Sequence, residues 1–379
     1  LSSPLRPAAA LAAALMPAIG SAGPIELSVI VPTLDEAEAL PGLLADLHGQ
    51  QGVRLEVLVA DGGATDATAA VAAAAGARVI AAPRGRGAQM NAAARLAQGS
   101  MLLFLHADSR LPDPHLLAGV LRALQGASRT DANVAGHFPL CFDRRDDRNR
   151  LGYRYLEEKS TLNREQTING DQGLLLVAPF FARLGGFDEG LPFLEDQRIA
   201  ARIRSCGRWL TLPGRLHTSA RRFETEGFHR RYLLMGLIMV MHSLGREEFF
   251  ARAPQVYRVQ RQTGRLLLSP YFRLLRSLAR HHWGLRGTGT TVLRLGGYLR
   301  VNLWQLFFFG DVLLRPLLGP GRSPLLGLHD RLRARLPARD RVVWLPVDAL
   351  LGLGGALFVL GVLAPWFRLV DGRADGDQP

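Results

Sequence analysis

Two acidic groups, each following an apolar run, stand where this chain could do chemistry. Leu102-Leu103-Phe104-Leu105-His106-Ala107-Asp108 reads as a buried strand that delivers a carboxylate to its C-terminal end. Glu195-Asp196 follows Gly185-Gly186-Phe187 further along. In an open α/β sheet, ligands bind outside the carboxyl ends of the strands, so Asp108 stands where a metal ion or a phosphate would be met. Arg84 and Arg86, interleaved with Gly85 and Gly87, offer guanidinium forks and bare backbone to a diphosphate. A plain solvated loop is the competing reading of those arginines. No Lys-Ser or Lys-Thr follows them, which excludes a Walker A loop.

The elements that must position these groups form a series. Leu27 to Val31 is an apolar run ended by Pro32, and Glu56 to Ala60 is a β-rich run ended by Asp61-Gly62-Gly63; a helical pattern follows each. Thr65-Asp66 precedes an alanine run from Ala67 to Ala75, so one of those two side chains is expected to cap a helix that Gly76 stops. Val79 to Ala81 reads as another short strand. Sequential βα units with short connections predict a mostly parallel sheet covered on both faces.

Six segments carry a resemblance: Leu27-Ser28-Val29-Ile30-Val31-Pro32-Thr33-Leu34-Asp35-Glu36, Asp61 to Asp66, Arg84 to Asn91, His106-Ala107-Asp108, Gly170-Asp171-Gln172-Gly173 and Glu195-Asp196. In this order they resemble the motifs of family 2 glycosyltransferases, over about residues 26 to 225. The RGRGAQMN and GDQG segments look more narrowly like a bacterial branch labelled arsenosugar-biosynthesis or selenodomain-associated glycosyltransferases. The resemblance implies an α/β GT-A fold, a Rossmann-like mixed and mostly parallel sheet with flanking helices, that binds a nucleotide-diphosphate sugar.

It also implies roles, each with a bland competitor. Pro32, Glu36 and Asp61 match the nucleoside side of such a site. Asp61 could accept from a base N–H while its glycines let backbone approach; it could equally start a turn. Glu36 has a solvated carboxylate near a helix start as its alternative, and Asp66 is expected to cap. Arg84 and Arg86 would meet the diphosphate, with Arg221, Arg222 and His217 closing over it. Asp108 would bind Mg²⁺ or Mn²⁺ together with diphosphate oxygens. Here the family's usual first acid is replaced by His106, which puts the metal's identity in question; a strand-end Asp bonded to a neighbouring loop is the competing reading. Asp196 matches the general base of an inverting transfer, with Glu195 beside it, although adjacent acids also complement a helix dipole. Asp171 and Gln172 could orient sugar or acceptor hydroxyls, or form an ordinary turn.

The net charge of +13 comes almost wholly from arginine, Lys159 being the one lysine. Because the charge is interleaved with long apolar runs, a membrane surface fits better than nucleic acid. Tyr232 to Leu244 is too short to span a bilayer, and Leu303 to Leu318 is broken by Asp311, Arg315 and Pro316. Ala349 to Trp366 is the best spanning candidate, with an interfacial segment or a soluble core helix as alternatives. Gly352 and Ala356 form a small-xxx-small pair within it. Arg331, Arg333, Arg335, Arg339 and Arg341 precede it, and Asp371, Asp375 and Asp377 follow, which places the catalytic side in the cytoplasm, at the inner membrane. The arginines between Arg258 and Arg300 suit an anionic headgroup layer.

The expected organisation is therefore an over-extended or disordered start at 1–25, a GT-A domain at 26–225, and a helical membrane-associated region at 226–379 with its apolar helix near 346–367. Ala8 to Ala22 has the look of a signal peptide, but secretion would part the enzyme from its donor. Cys141 and Cys206 make no metal pattern. The leading function is transfer of a sugar to an acceptor hydroxyl, with a lipid among the candidate acceptors. A sugar nucleotidyltransferase would need a working lysine near the phosphates. A catalytically inactive membrane adaptor on the same scaffold finds its best support in His106.

Overall fold

The computed structural model describes residues 23–190, 194–261, 266–336 and 341–375; the Ala8 to Ala22 stretch, Arg339 and Asp377 lie outside them. The chain divides into two compact units. Unit 1 runs to Arg145 and resumes from Leu156 to Ser219, and unit 2 comprises Asp146–Tyr155 and the chain from Ala220 onward.

Unit 1 is a mixed α/β fold of the GT-A type. Its main sheet has the order β3-β2-β1-β4-β8-β6-β9, formed by β1 (Leu27–Thr33), β2 (Leu55–Asp61), β3 (Arg78–Ala81), β4 (Met101–Phe104), β6 (Val134–His137), β8 (Leu174–Val177) and β9 (Arg208–Thr211). β5 (Ser109–Arg110), β10 (Leu216–Ser219) and β7 (Leu140–Asp143) make a small second sheet. β1 pairs in parallel with β2 and β4, whereas β8 is antiparallel to both of its neighbours. β1 is buried along its whole length, which is why it reads as a continuous apolar run instead of alternating. Pro32 sits inside it without loss. Leu105 donates to the Ile30 carbonyl, so Pro32, two residues on, faces the same side but beyond the end of β4, where no ladder bond is forgone.

On one face of this sheet Ile30, Leu58, Leu102, Phe104, Leu174 and Leu176 share a core with Ile199 and Ile203 of the Glu195–Cys206 helix. Those two isoleucines are one helical turn apart, and each contributes roughly 1.5–3 kcal/mol by burial. They fix the helix that begins at Glu195. Before the Thr68–Ala74 helix, Ala67 holds the N-cap position, yet Asp66 accepts the N–H of Thr68 at 2.9 Å and that of Ala37 at 3.1 Å. Gly76, at φ 75°, ends that segment.

Unit 2 is helical. Asp311 breaks the Leu303 to Leu318 run for a reason: its two carboxylate oxygens accept the Leu325 and Leu326 N–H groups at 2.9 and 2.8 Å, at the start of the Pro324–Ala334 helix. Gly352 packs within the chain. A side chain there would collide with the Val292 carbonyl of the Gly284–Val301 helix, and one at Gly296 would collide with the Asp348 carbonyl. The apolar helix from Val343 to Gly372 is long and apolar enough to cross a membrane.

One buried group in unit 1 gives stability a pH dependence. His137 is enclosed in β6, with Nδ1 2.8 Å from Gln172 Oε1 and Nε2 3.1 Å from Thr211 Oγ1. Burial pushes its pKa down to about 4. The unfolded chain binds a proton below about pH 6.5 while the folded chain does not, so stability is complete above that value and falls as pH drops toward about 4, by roughly 3 kcal/mol. Urea midpoints compared at pH 7.5 and 5 should show this fall, and His137→Asn should flatten it; an unchanged slope in the variant would assign the acid sensitivity elsewhere.

Candidate active site

The site forms where β4 and β8 meet. Because β8 runs antiparallel to β4, with Phe104 opposite Leu174, the Gly170–Gln172 turn ahead of β8 is carried to the end of β4, where His106 and Asp108 follow. His106 Nδ1 lies 2.9 Å from an Asp171 carboxylate oxygen. Gly170 donates its N–H to Asp196 Oδ2 at 2.8 Å, and Gln197 donates its own to Oδ1 at 2.8 Å. A carbon added at Gly170 would meet His106 Nε2 at 3.1 Å and Asp196 Cβ at 3.6 Å, so this glycine is wedged between the two. His106, Gly170 and Asp196 line one cavity with Met90, Phe104 and Phe187.

The two adjacent acids have different surroundings. Asp196 lines the cavity, whereas Glu195 is buried and faces Arg86, whose guanidinium stands 3.9 Å from its carboxylate. Burial and the Asp196 charge raise the Glu195 pKa, and Arg86 opposes them. Arg86 opens the Arg86–Ala94 helix directly after Gly85 at φ 136°, and Arg84 is exposed just before it.

That helix also braces the site through two side chains the sequence reading passed over. Gln89 Nε2 donates to the Thr33 and Ala60 carbonyls at 2.7 and 2.8 Å, joining the ends of β1 and β2. Asn91 donates to the Phe187 carbonyl at 3.0 Å and accepts its N–H at 2.9 Å, which ties down the loop leading toward Glu195. Two amides set among Ala88, Ala92, Ala93 and Ala94 were the available signal: a buried polar group in such company must be bonded.

Other expected site residues lie as follows. Asp61, at the end of β2, accepts the Ala64 N–H at 2.9 Å through one oxygen, so it does start a turn; its second oxygen makes no hydrogen bond among the described residues. Glu36 sits near the start of the Leu40–His48 helix, with its N–H on Thr68 Oγ1 at 2.8 Å. Gln172 points inward, 1% exposed, and its amide is committed to His137 and to the Thr167 carbonyl at 2.6 Å. This corrects its expected contact with a sugar: it holds the turn that presents Asp171. Arg221 and Arg222 begin the Arg221–Glu226 helix of unit 2, and His217 in β10 bonds Asp143 at 2.8 Å.

Asp108 occupies the turn after β4, partly exposed, and makes no hydrogen bond among the described residues. Among those residues no group of three or more His, Cys, Asp or Glu side chains is arranged to hold a metal. A single open carboxylate fits a hard divalent ion only where a diphosphate supplies further oxygens, which is the usual way Mg²⁺ is held at nucleotide sites.

Residues 28–184 match the family model described as Glycosyl transferase family 2. The match covers 157 of the 379 residues, most of them in unit 1. The matched segment takes in Pro32, Glu36, Asp61, Arg84, Arg86, Asp108, Asp171 and Gln172 and stops short of Glu195-Asp196. Comparison with curated proteins finds no match. Among solved structures, the chain is similar to the mannosyltransferase PcManGT from Pyrobaculum calidifontis in complex with GDP-Man and Mn²⁺, at 19% identity over 90% of each chain and a TM-score of 0.44. It is also similar to S. aureus TarS 1-349 in complex with UDP, at 16% identity over 83% of this chain and 93% of that one, with a TM-score of 0.42.

The glycine wedge gives a direct test. Gly170→Ala places a methyl 3.1 Å from His106 Nε2, so the imidazole or the turn must shift by a few tenths of an ångström. We expect turnover to fall about tenfold or more, since small misplacements near reacting groups are costly, with little change in melting temperature. Wild-type turnover in this variant would show that His106 and the turn take no part in the site.

Proposed function

We propose that unit 1 is an inverting glycosyltransferase that moves a sugar from a nucleotide-diphosphate sugar to an acceptor hydroxyl. The observation that carries this reading is the gathering of His106, Asp171, Gly170 and Asp196 at the end of β4, the first three of them within the segment that matches the family 2 model. Asp196 lines the cavity and is the proposed base. It takes the acceptor's proton as the oxygen attacks the anomeric carbon, while the bond from that carbon to the diphosphate oxygen breaks and its electron pair leaves with the diphosphate. Arg84 and Arg86 stabilise the departing charge. Asp108 would hold Mg²⁺ or Mn²⁺, which supplies further charge neutralisation on the diphosphate when bound. Asp61 and Glu36 are the proposed nucleoside contacts and Asp171 a sugar or acceptor contact. The narrower arsenosugar-type likeness remains part of this reading. Unit 2 is proposed to hold the enzyme on the inner membrane with unit 1 on the cytoplasmic side, where a lipid acceptor would be within reach.

Glu195 serves differently in this scheme. Its buried carboxylate against Arg86 positions that guanidinium for the diphosphate, so it is a positioning residue, not the base.

A thermal-shift screen of nucleotide diphosphates and nucleotide sugars, with and without Mn²⁺, tests donor binding, because a ligand that binds only the folded chain raises the melting temperature. Asp196→Asn should keep that shift and lose about 10² to 10⁴ in turnover, the usual worth of a placed base, with Glu195→Gln losing less. Equal turnover in Asp196→Asn would remove the assignment. Asp108→Ala should abolish the Mn²⁺-dependent part of the shift, and His106→Asp should retain or strengthen it by adding a second acid. A shift indifferent to both EDTA and Asp108→Ala would mean that the arginines carry the diphosphate alone.

A further inference from the structure

The apolar helix of unit 2 has one open face. Leu350, Leu353 and Leu357 are 76, 54 and 62% exposed, and Val362, Trp366 and Leu369 are 53, 60 and 64% exposed. At about 100° per residue, Leu357 and Trp366 would fall on opposite sides of a regular α-helix. The π turn Val359–Leu363 takes up one extra residue between them. It brings Trp366 to within about 80° of Leu357 and Leu369 to within about 20°, so the two halves present a single stripe. Gly352, Ala364, Phe367 and Asp371 are buried on the opposite side.

Charges mark this helix at three levels. Asp348 pairs with Arg300 near one end, and Asp371 pairs with Arg230 near the other while accepting the Leu268 and Ser269 N–H groups. The two aspartates are about 34 Å apart along a helix axis, with Leu360 midway. The Leu360 carbonyl accepts a hydrogen bond from Arg276 at 3.1 Å. A spanning orientation would therefore set a guanidinium near the centre of a hydrocarbon layer about 30 Å thick, where an arginine is costly.

Arg276 is not alone there. It lines a shallow cleft with Arg273 and Arg368, closed by Ser269, Phe272 and Ala364. None of the three arginines meets a carboxylate among the described residues, and Asp371, which accepts the N–H of the cleft's Ser269, is already held by Arg230 and two amides. Arg368 neighbours Trp366, Phe367 and Leu369 in sequence, so the cleft lies beside the stripe. Three unpaired guanidiniums next to an exposed apolar face match a phosphate held at the waterline of a membrane.

We propose that the Val343–Gly372 helix lies in the plane of one leaflet with its leucine stripe immersed, and that Arg273, Arg276 and Arg368 bind the phosphate of an anionic lipid headgroup. The inference rests on the reading of unit 2 as membrane-associated and replaces a spanning helix with an in-plane one.

The full chain can be tested by flotation with phosphatidylglycerol-containing vesicles and with phosphatidylcholine vesicles alone. Preference for the anionic vesicles, reduced about tenfold in the triple variant Arg273→Ser, Arg276→Ser, Arg368→Ser, is expected. Loss of that preference on adding inorganic phosphate at matched ionic strength would assign the cleft to free phosphate and overturn the lipid. Topology is read separately, after Cys141→Ser and Cys206→Ser, from Ala334→Cys or Gly372→Cys in everted membrane vesicles. An impermeant maleimide should label both positions without detergent. Labelling of one position only until detergent is added would overturn the in-plane helix while leaving membrane association intact. Failure to float with any vesicle would overturn both, and a nucleotide-induced thermal shift in each variant verifies that unit 1 remains folded.

Discussion

The antiparallel seat of β8 against β4 is the constraint on which the rest of unit 1 depends. A parallel strand in that place would start at the opposite end of β4 and carry its leading turn away from His106 and Asp108. Antiparallel pairing, with Phe104 opposite Leu174, reverses this and delivers Gly170 to the Asp108 end of β4. The turn then reaches a third element, since the Gly170 N–H is bonded to Asp196 on the helix that Ile199 and Ile203 pin to the same core. Three stretches remote in the chain are thus brought together by one strand direction and one hydrophobic face.

The parallel part of this arrangement was legible in the sequence. Continuous apolar runs ended by Pro32 and by Asp61-Gly62-Gly63 mark β1 and β2 because strands buried on both faces need no alternation. The register and direction of β8 were not legible, because Leu174 to Val177 is a short apolar run that fits either direction. Gln172 shows the cost of reading a motif residue by residue. Its polarity points to a ligand, but a polar group beside buried His137 is equally well spent inside the fold. Gln89 and Asn91 illustrate the converse, being silent as chemistry and yet bonded to the strand ends and the loop that define the site.

In unit 2, hydropathy announces an apolar helix but not its depth in a membrane. What separates spanning from lying flat is the position of charges off the helix, on segments the pattern does not pair with it. Arg276 is more than eighty residues from Leu360 in the chain and meets it only through packing. Gly352, one half of the small-xxx-small pair, is likewise approached closely by the Gly284–Val301 helix, a packing that the pair alone does not announce.

The adjacent acids Glu195 and Asp196 carry the same argument to its chemical end. In sequence they are equivalent helix-start carboxylates, and helix geometry turns neighbouring side chains about 100° apart. One is thereby driven inward, where burial favours its protonated form and Arg86 is the group opposing that shift. The other is turned toward the cavity, where a backbone N–H on each oxygen holds it in place. A carboxylate fixed in place and facing a cavity is suited to meet an acceptor hydroxyl; a buried one against a guanidinium is suited to hold that guanidinium in place. A single helical step thus separates the two roles.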